Sequence, residues 1–466
     1  MLDVRCWILK FQASNIKYQT SSIRHQIMNK FAIITLGCKV NQYESEVIAE
    51  SLKAAGWIPA HDKEAADLCI INTCTVTQKA SMQSRQAIRQ IIRSNPGAYI
   101  IVTGCYAQTE ADEIRKISGV HDIIGHADKH KIPDMIKNSN LNKPASNIKH
   151  QTSNIKHQTS SIKHQTSRTR PFLKIQDGCN AFCTYCIVPY ARGRSRSMPL
   201  EDVLENIRRV RAAGYHEIVL TGIHLGCYGL DLSPEISLSE LLHRIHDSEA
   251  IERLRLSSIE PHELTDDIIE LAAKPGNICP HFHIPLQSGD DLILERMHRP
   301  YTSAYFRELV MNIREKIPHA SVGADTLIGF PGESEAAFEN TRSLIQDLPV
   351  TYLHVFPFSP RKGTLASTYP DKIPSKVIKE RCRKMREIGN VKKQEFYREL
   401  IGKTVEVLIE GKRDGSSGLL KGLTPNYIPV LVRGGDDLKS TIAEVRVEEV
   451  KERPIASYRL SADEYS

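Results

Sequence analysis

The feature that most limits what this chain can fold into is a run of three closely spaced cysteines, Cys179, Cys183 and Cys186, in the segment DGCNAFCTYCIVPY. An apolar stretch, FLKI at 172–175, lies just before this CxxxCxxC run and predicts a strand. Three thiolates at this spacing can hold three irons of a 4Fe–4S cube, and no fourth cysteine follows locally to bind the last iron. The spacing therefore predicts a cluster with one iron open to an outside ligand.

Two other uses of close cysteines compete with the cluster. Zinc normally takes four ligands in pairs, and the nearest histidines are far from this run in sequence. A disulfide leaves one of the three cysteines unpaired, and the N-terminus has no apolar segment with a cleavage site. No stretch is apolar enough for a membrane span. We therefore expect a protein of the reducing cytoplasm with no membrane partner, and zinc stays the alternative.

A second set of cysteines is spread over the N-terminal part of the chain. Cys38, Cys74 and Cys105 each follow an apolar run, and the segments between them have helical periodicity. Alternating strands and helices predict an open parallel α/β sheet, in which residues after the strands share one edge. The three thiols should converge there and hold a second cube with an open iron. The alternative is three ordinary buried cysteines, which is how we interpret Cys69 inside its strand.

The net charge of the whole chain gives little evidence about binding partners, because two short segments carry most of the excess positive charge. The chain has 466 residues, enough for several domains, and a formal net charge of +7. Residues 1–30 and 141–170 are strongly basic, and the remainder is slightly acidic. Both segments carry a seven-residue repeat, SNIKHQT and its variants, with one isoleucine per repeat, too few for a coiled coil. A solvated linker is the favoured interpretation, and a basic arm touching RNA phosphates is the alternative.

The chain after Cys186 alternates strand and helix. Including the strand before the cysteine run, six strands are expected, which suits a partial (βα)6 barrel open on one side, with reactive groups at the carboxyl ends of its strands. His281 and His283 alternate along one strand and should line this barrel rather than bind metal with Cys279. After residue 398, β-branched runs broken by Gly, Asn and Asp predict a small antiparallel barrel.

Taken together, both cysteine sets resemble those of the methylthiotransferase family of radical S-adenosylmethionine enzymes. The resemblance covers nearly everything from Met28 onward except the repeats, and it rests on GCKVNQYESE, NTCTVT, TGCYAQ and DGCNAFCTYCIVPYARGRSRS. KVNQYE after the first cysteine is similar to the subgroup that modifies threonylcarbamoyladenosine in tRNA. The neighbouring subgroups act on isopentenyladenosine in tRNA or on a ribosomal protein.

The resemblance implies two 4Fe–4S clusters, S-adenosylmethionine as cofactor, and addition of a methylthio group to carbon 2 of an adenosine next to the anticodon. Cys38, Cys74 and Cys105 would bind the cluster that delivers sulfur, and Cys179, Cys183 and Cys186 the cluster that cleaves the cofactor. Gln287, Ser288, Gly329 and Glu333 are expected at the cofactor. A flavodoxin or ferredoxin would supply electrons. A non-catalytic iron–sulfur tRNA-binding protein is the alternative from another class.

Several polar positions have weaker predictions. Arg192, Arg194 and Arg196 follow the cysteine run and can pair with phosphates or with the cofactor carboxylate. Ser257, Ser258 and Glu260 can contact the cofactor or only satisfy a strand end. Lys421 and Tyr427 are candidate phosphate and base contacts in the C-terminal barrel, which resembles a TRAM domain. Cys227, Cys279 and Cys382 have no partner spacing and are expected to be structural.

The expected domain organisation has five parts. They are an unstructured extension at 1–27, an N-terminal methylthiotransferase domain at 28–140, the repeat linker at 141–167, the radical S-adenosylmethionine domain at 168–398 and the TRAM-like RNA-binding domain at 399–462.

Overall fold

The computed structural model describes residues 29–60, 65–138 and 168–458. The expected extension at 1–27 and the expected linker at 141–167 lie outside the described residues. Within the described part of the chain, none of the helices combines the length and apolar character needed to cross a bilayer.

A parallel five-stranded sheet forms the N-terminal domain, as the sequence predicts. Its strand order is β2-β1-β3-β4-β5. The central strand β3 is buried along its whole length, because helices cover both faces of such a sheet. The elements are β1 (Lys30–Thr35), α1 (Lys39–Ala54), β2 (Ile58–Pro59), β3 (Leu68–Thr73), α2 (Gln78–Ser94), β4 (Tyr99–Gly104), α3 (Cys105–Thr109), α4 (Ala111–Arg115), β5 (Asp122–Ile124) and α5 (Ile132–Asn138).

The central domain is a six-stranded partial barrel. Two parallel sheets, β10-β9-β6 and β11-β12-β13, lie side by side and are connected by a bridge between Leu254 and Ile278. The elements are β6 (Phe172–Lys174), β7 (Gln176–Asp177), α6 (Val188–Arg192), β8 (Arg196–Ser197), α7 (Leu200–Ala212), β9 (Glu217–Thr221), α8 (Leu238–Asp247), β10 (Arg253–Leu256), α9 (Asp266–Ala273), β11 (His281–Gln287), α10 (Asp291–Arg296), α11 (Ser303–Lys316), β12 (Ser321–Ile328), α12 (Glu335–Asp347), β13 (Tyr352–Pro357) and α13 (Ser375–Arg398).

A small closed barrel follows α13. Its strands are β14 (Thr404–Arg413), β15 (Leu420–Leu423), β16 (Pro429–Arg433), β17 (Ile442–Val450) and β18 (Pro454–Tyr458), in the order β14-β15-β16-β18-β17. The neighbouring strands are antiparallel except for β16 and β18, which run parallel. The predicted architecture of an open sheet, a partial barrel and a small β-barrel is confirmed.

Buried arginines join the small barrel to the partial barrel. Arg255 of β10 donates to the carbonyls of Thr424 and Pro425 at 3.2 and 2.8 Å, and it also pairs with Glu217. Arg253 on the same strand donates to the carbonyl of Leu423. The loop between β15 and β16 is therefore fixed against the interior of the partial barrel, which brings the C-terminal domain close to the cavity that the other two domains form.

Candidate active site

The N-terminal thiols lie where the sheet topology predicts them. Cys74 and Cys105 directly follow β3 and β4, and Cys38 lies three residues after the end of β1; the three strands are adjacent and parallel. Burial, together with the charges of Cys105 and Cys38, raises the pKa of Cys74 to about 11, so the three thiols influence one another electrostatically. Gly37 packs so closely on this group that a Cβ there would lie 3.1 Å from the Cys74 Sγ. The three sulfurs thus form one cluster of thiols at one edge of the sheet.

Buried side chains hold these three loops together. Asn41 donates to the carbonyls of Leu36 and Thr73 at 2.7 and 3.1 Å, which connects the loops after β1 and β3. Ser84 donates to the Cys74 carbonyl and accepts from its amide. Gly104 has φ +95, and a Cβ at this position would lie 2.4 Å from the Thr73 carbonyl oxygen. The close approach of the strand ends therefore requires glycine before Cys105.

The second set of thiols occupies the loop between β7 and α6. The Cys186 amide donates to the Cys183 carbonyl, and the Cys179 amide donates to the Gly193 carbonyl. Burial, followed by the charges of Cys183 and Cys179, raises the pKa of Cys186 to about 12. Gly178 has φ +79 and leaves no space for a Cβ against the Arg194 carbonyl. The compact loop thus keeps the three cysteines close enough for Cys183 and Cys179 to act electrostatically on Cys186.

Two basic side chains from the partial barrel contact this second set. Arg299 donates to the Cys183 Sγ at 3.3 Å and is also paired with Glu260. His224 lies 3.3 Å from the Cys179 Sγ through Nδ1 and 2.8 Å from Glu263 through Nε2. Burial lowers the pKa of His224, but its hydrogen bonds to Cys179, Cys227 and Glu263 raise this pKa well above the usual range. Both side chains therefore fix the position of the sulfurs that they contact.

Sequence reasoning missed His224 and Arg299. His224 stands in LTGIHLG, one turn before Cys227, and this local grouping was a usable signal. Cys227 donates to Glu263 and lies 3.5 Å from His224, so it belongs to the wall of the site rather than to the distant core. Arg299 is 116 residues from Cys183, and no sequence pattern connects the two.

Arg192 does not extend toward solvent from the cysteine loop. Its side chain is 1% exposed and donates to Glu44 and Asp177 at 3.0 and 2.8 Å. Burial lowers its pKa, but the charges of Cys105, Glu44, Asp177 and Cys38 raise this pKa well above the usual range. Arg194 and Arg196 are exposed. Of the three arginines proposed for phosphate binding, Arg192 is therefore already engaged at the junction of two domains.

The same domain junction connects the loops that carry the two sets of cysteines. Glu44 belongs to α1, which begins directly after Cys38, and Asp177 stands two residues before Cys179. Lys129 and Lys174 also pair with Glu44, at 2.6 and 3.1 Å. A buried network of opposite charges thus connects the loop of the first set to the loop of the second, and both sets belong to one site between the N-terminal domain and the partial barrel.

The expected cofactor-binding residues lie at the carboxyl ends of two neighbouring strands. Gln287 ends β11 with φ +66, and the hydroxyl of Ser288 is 3.3 Å from that of Thr341. Gly329 follows β12, and its amide donates to Glu333 at 2.9 Å. The Glu333 carboxylate also accepts from Arg381 of α13 at 2.6 Å. Gly329 and Glu333 thus have structural contacts of their own, and the role of all four at a cofactor stays a prediction.

Histidines and tyrosines line the interior of the partial barrel. His283 donates to Asp325 at 2.8 Å, and His354 contacts the same carboxylate at 3.2 Å. Burial raises the pKa of Asp325, but these two histidines lower it to a net value of about 2. His281 stacks on Tyr427 of the small barrel with ring centroids 4.2 Å apart. His281 and His283 line the interior of the barrel. Cys279 is buried, and the charge of Arg255 acts on it.

The donor set fits iron–sulfur clusters. Each group offers three soft sulfurs, which select iron–sulfur clusters over oxygen-loving metals. None of the cysteines in the described ranges is part of a disulfide. A cationic side chain stands beside each group, Arg192 at the first and Arg299 at the second, and it can balance the charge of bound thiolates. The residues present can therefore hold two such clusters.

Comparisons with known proteins agree with this geometry. Family models match three segments: the Uncharacterized protein family UPF0004 at residues 30–125, the Radical SAM superfamily at 173–345 and the TRAM domain at 398–455. The radical S-adenosylmethionine methyltransferase TsrM from Kitasatospora setae matches with a TM-score of 0.51 at 15% identity, over 71% of this chain and 75% of that one. The fold and site thus define a radical S-adenosylmethionine enzyme.

Comparison with curated relatives identifies the family within this class of enzymes. Threonylcarbamoyladenosine tRNA methylthiotransferase MtaB of Bacillus subtilis is 38% identical over 90% of this chain and 94% of that protein. The protein of the same name from Aquifex aeolicus is 36% identical over 87% and 97%. A tRNA-2-methylthio-N(6)-dimethylallyladenosine synthase from Carboxydothermus hydrogenoformans is 35% identical over 90% and 97%. The chain belongs to the tRNA methylthiotransferase family.

Proposed function

We propose that this enzyme adds a methylthio group to carbon 2 of threonylcarbamoyladenosine next to the anticodon of tRNA. The observation that carries the proposal is the meeting of two separate three-cysteine groups at one domain junction, because the reaction needs both a radical initiator and a sulfur donor near the same carbon. The KVNQYE segment after Cys38 and the names of the first two relatives above support this substrate.

Two 4Fe–4S clusters and S-adenosylmethionine are the cofactors. Cys179, Cys183 and Cys186 would hold one cluster, and Cys38, Cys74 and Cys105 the other. When bound, these groups would supply one-electron cleavage of the cofactor's sulfonium and a sulfur atom for transfer. Gln287, Ser288, Gly329 and Glu333 remain our assignment for contacts to S-adenosylmethionine, on the basis of their place at the carboxyl ends of β11 and β12.

The chain's own residues prepare this site. Arg299 and His224 hold Cys183 and Cys179 through N–H···S contacts, which fix the loop. The charge network of Glu44, Arg192 and Asp177 fixes the N-terminal domain against the partial barrel, so that the two cysteine groups keep their relative position. Precise placement of reacting groups is a large part of catalysis in such enzymes.

We also infer the partners and the location. The TRAM domain and the family place tRNA as the substrate, and the adenosine must leave its stack to reach the site. A small redox protein such as a flavodoxin or ferredoxin would supply the electrons. A tRNA substrate supports a location in the cytoplasm.

The modification of isopentenyladenosine is the second candidate, because relatives with that activity in their names are also about one-third identical. Nucleoside mass spectrometry of tRNA from a strain lacking the gene separates the two. We expect the methylthio form of threonylcarbamoyladenosine to disappear and the unmethylthiolated nucleoside to accumulate. Loss of the methylthio group from isopentenyladenosine instead would overturn the proposed substrate.

A further inference from the structure

A pocket outside the cysteine site lies where all three domains meet. Its volume is about 250 Å³. The pocket, called here the cationic pocket, is lined from the N-terminal domain by Lys39, from the partial barrel by Arg170 and Arg255, and from the small barrel by Lys412, Lys421 and Tyr427. Among its described lining residues, Glu410 is the only carboxylate.

The cationic pocket contains more positively charged side chains than the nearby carboxylates can neutralise. Arg170 and Lys421 share Glu410, at 3.2 and 3.4 Å, and Arg255 is held by the fully buried Glu217. Lys39 and Lys412 form no ion pair with any residue that the structure describes. A site with this excess of cations is expected to attract an anion.

The aromatic side chains of the cationic pocket are already in contact with other side chains. A base needs an aromatic face on which to stack, and the pocket wall contains two aromatic rings, Phe172 and Tyr427. The Arg168 guanidinium lies over the Phe172 ring at 5.0 Å, and the Tyr427 ring stacks on His281 and lies under the Arg255 guanidinium. We therefore expect the pocket to bind through its charges, and a contact between Tyr427 and a base stays a prediction.

We propose that the cationic pocket binds a backbone phosphodiester of the substrate tRNA and so directs the anticodon loop to the sulfur-donating cysteines. Lys39 is the residue after Cys38, which places one wall of the pocket next to the first cysteine group. Lys412 is exposed on β14, so the pocket is open to a macromolecule. Contacts from three domains to one phosphate would also explain why the small barrel is fixed to the partial barrel at this point. The proposal rests on the tRNA substrate proposed above.

Binding of tRNA to a double variant, Lys39→Met with Lys412→Met, tests the proposal. Unmodified substrate tRNA is titrated into reconstituted full-length protein at several salt concentrations. We expect affinity to fall by about tenfold, which corresponds to about 1.4 kcal/mol of binding free energy. The slope of log affinity against log salt should decrease by about one, as expected when a phosphate contact is lost. Iron content should match that of the wild type.

The matched control is Lys376→Met with Lys379→Met, which removes the same charge from exposed positions on α13 outside the pocket. This control should keep wild-type affinity and salt slope. Equal affinity and slope for the pocket variant and the wild type would overturn the phosphate site, and so would an equal loss in the control. Absence of tRNA binding by the wild-type protein would overturn the proposed function itself, so the two failures are distinguishable.

Discussion

Replacing Cys74 by alanine is expected to abolish methylthio product while cleavage of S-adenosylmethionine to 5′-deoxyadenosine continues. Cys74 belongs to the first cysteine group, and the second group, including Cys179, is built by a different loop with its own contacts. Removing a ligand from the first group should therefore remove the sulfur donor and leave the radical initiator. Iron should fall from about eight to about four per chain, since each cube contains four irons.

Cys69→Ala is the matched control for this experiment. Cys69 is also buried in the N-terminal sheet, but it lies near the start of β3, whereas Cys74 follows the carboxyl end of that strand. Its replacement should cost some packing energy and leave both iron content and product formation intact. Full product from the Cys74 variant, or equal losses in both variants, would contradict the assignment of the first group as sulfur donor.

Replacing Arg192 by methionine is expected to lower the free energy of unfolding by about 3–5 kcal/mol, because two buried carboxylates lose a cation that they share. Glu44 and Asp177 both accept from Arg192, and all three side chains are at least nine-tenths buried. The unfolding midpoint in guanidinium chloride, measured under anaerobic conditions, reports the change. Arg194→Met, two residues away and exposed, should stay within about 0.5 kcal/mol of the wild type.

The loss of stability in the Arg192→Met variant should depend on pH. Burial would raise the pKa of both carboxylates. Arg192, Lys129 and Lys174 nevertheless hold the pKa of Glu44 well below its usual range, and a hydrogen bond from His126 with the charges of Lys174 and Arg192 does the same for Asp177. Carboxylates with lowered folded-state pKa values stabilise the fold above their unfolded pKa, near 4, and that contribution is lost as the pH falls toward the folded value. In the variant, the two carboxylates can protonate. The difference in free energy of unfolding between the wild type and the variant should therefore be largest near pH 7 and become smaller toward pH 4. A difference that does not change with pH would argue against a charge network.

The fold was predictable wherever local pattern decides it. The six barrel strands are β-branched or apolar runs with clear ends, and the cysteines after β1, β3 and β4 follow from the rule that parallel strands end at one edge. The parallel pairing of β16 with β18 was not expected, because a run of short strands does not reveal which ones become neighbours.

The contacts around the cysteines were less predictable, because they join distant parts of the chain. Arg192 and Glu44 are separated by 148 residues, and Arg192 stands in a basic segment, YARGRSRS, that resembles a solvent-exposed patch. Its burial is decided only when two domains pack together. The cationic pocket needs three domains, and a whole-chain charge of +7 gives no indication of where the excess lies.

Mössbauer spectroscopy with iron analysis on anaerobically reconstituted protein tests the central claim most directly. Two independent three-cysteine sites predict about eight irons per chain in two 4Fe–4S clusters, with half of the signal lost in Cys74→Ala and the other half in Cys183→Ala. A single cluster of four irons, unchanged by Cys74→Ala, would contradict the account.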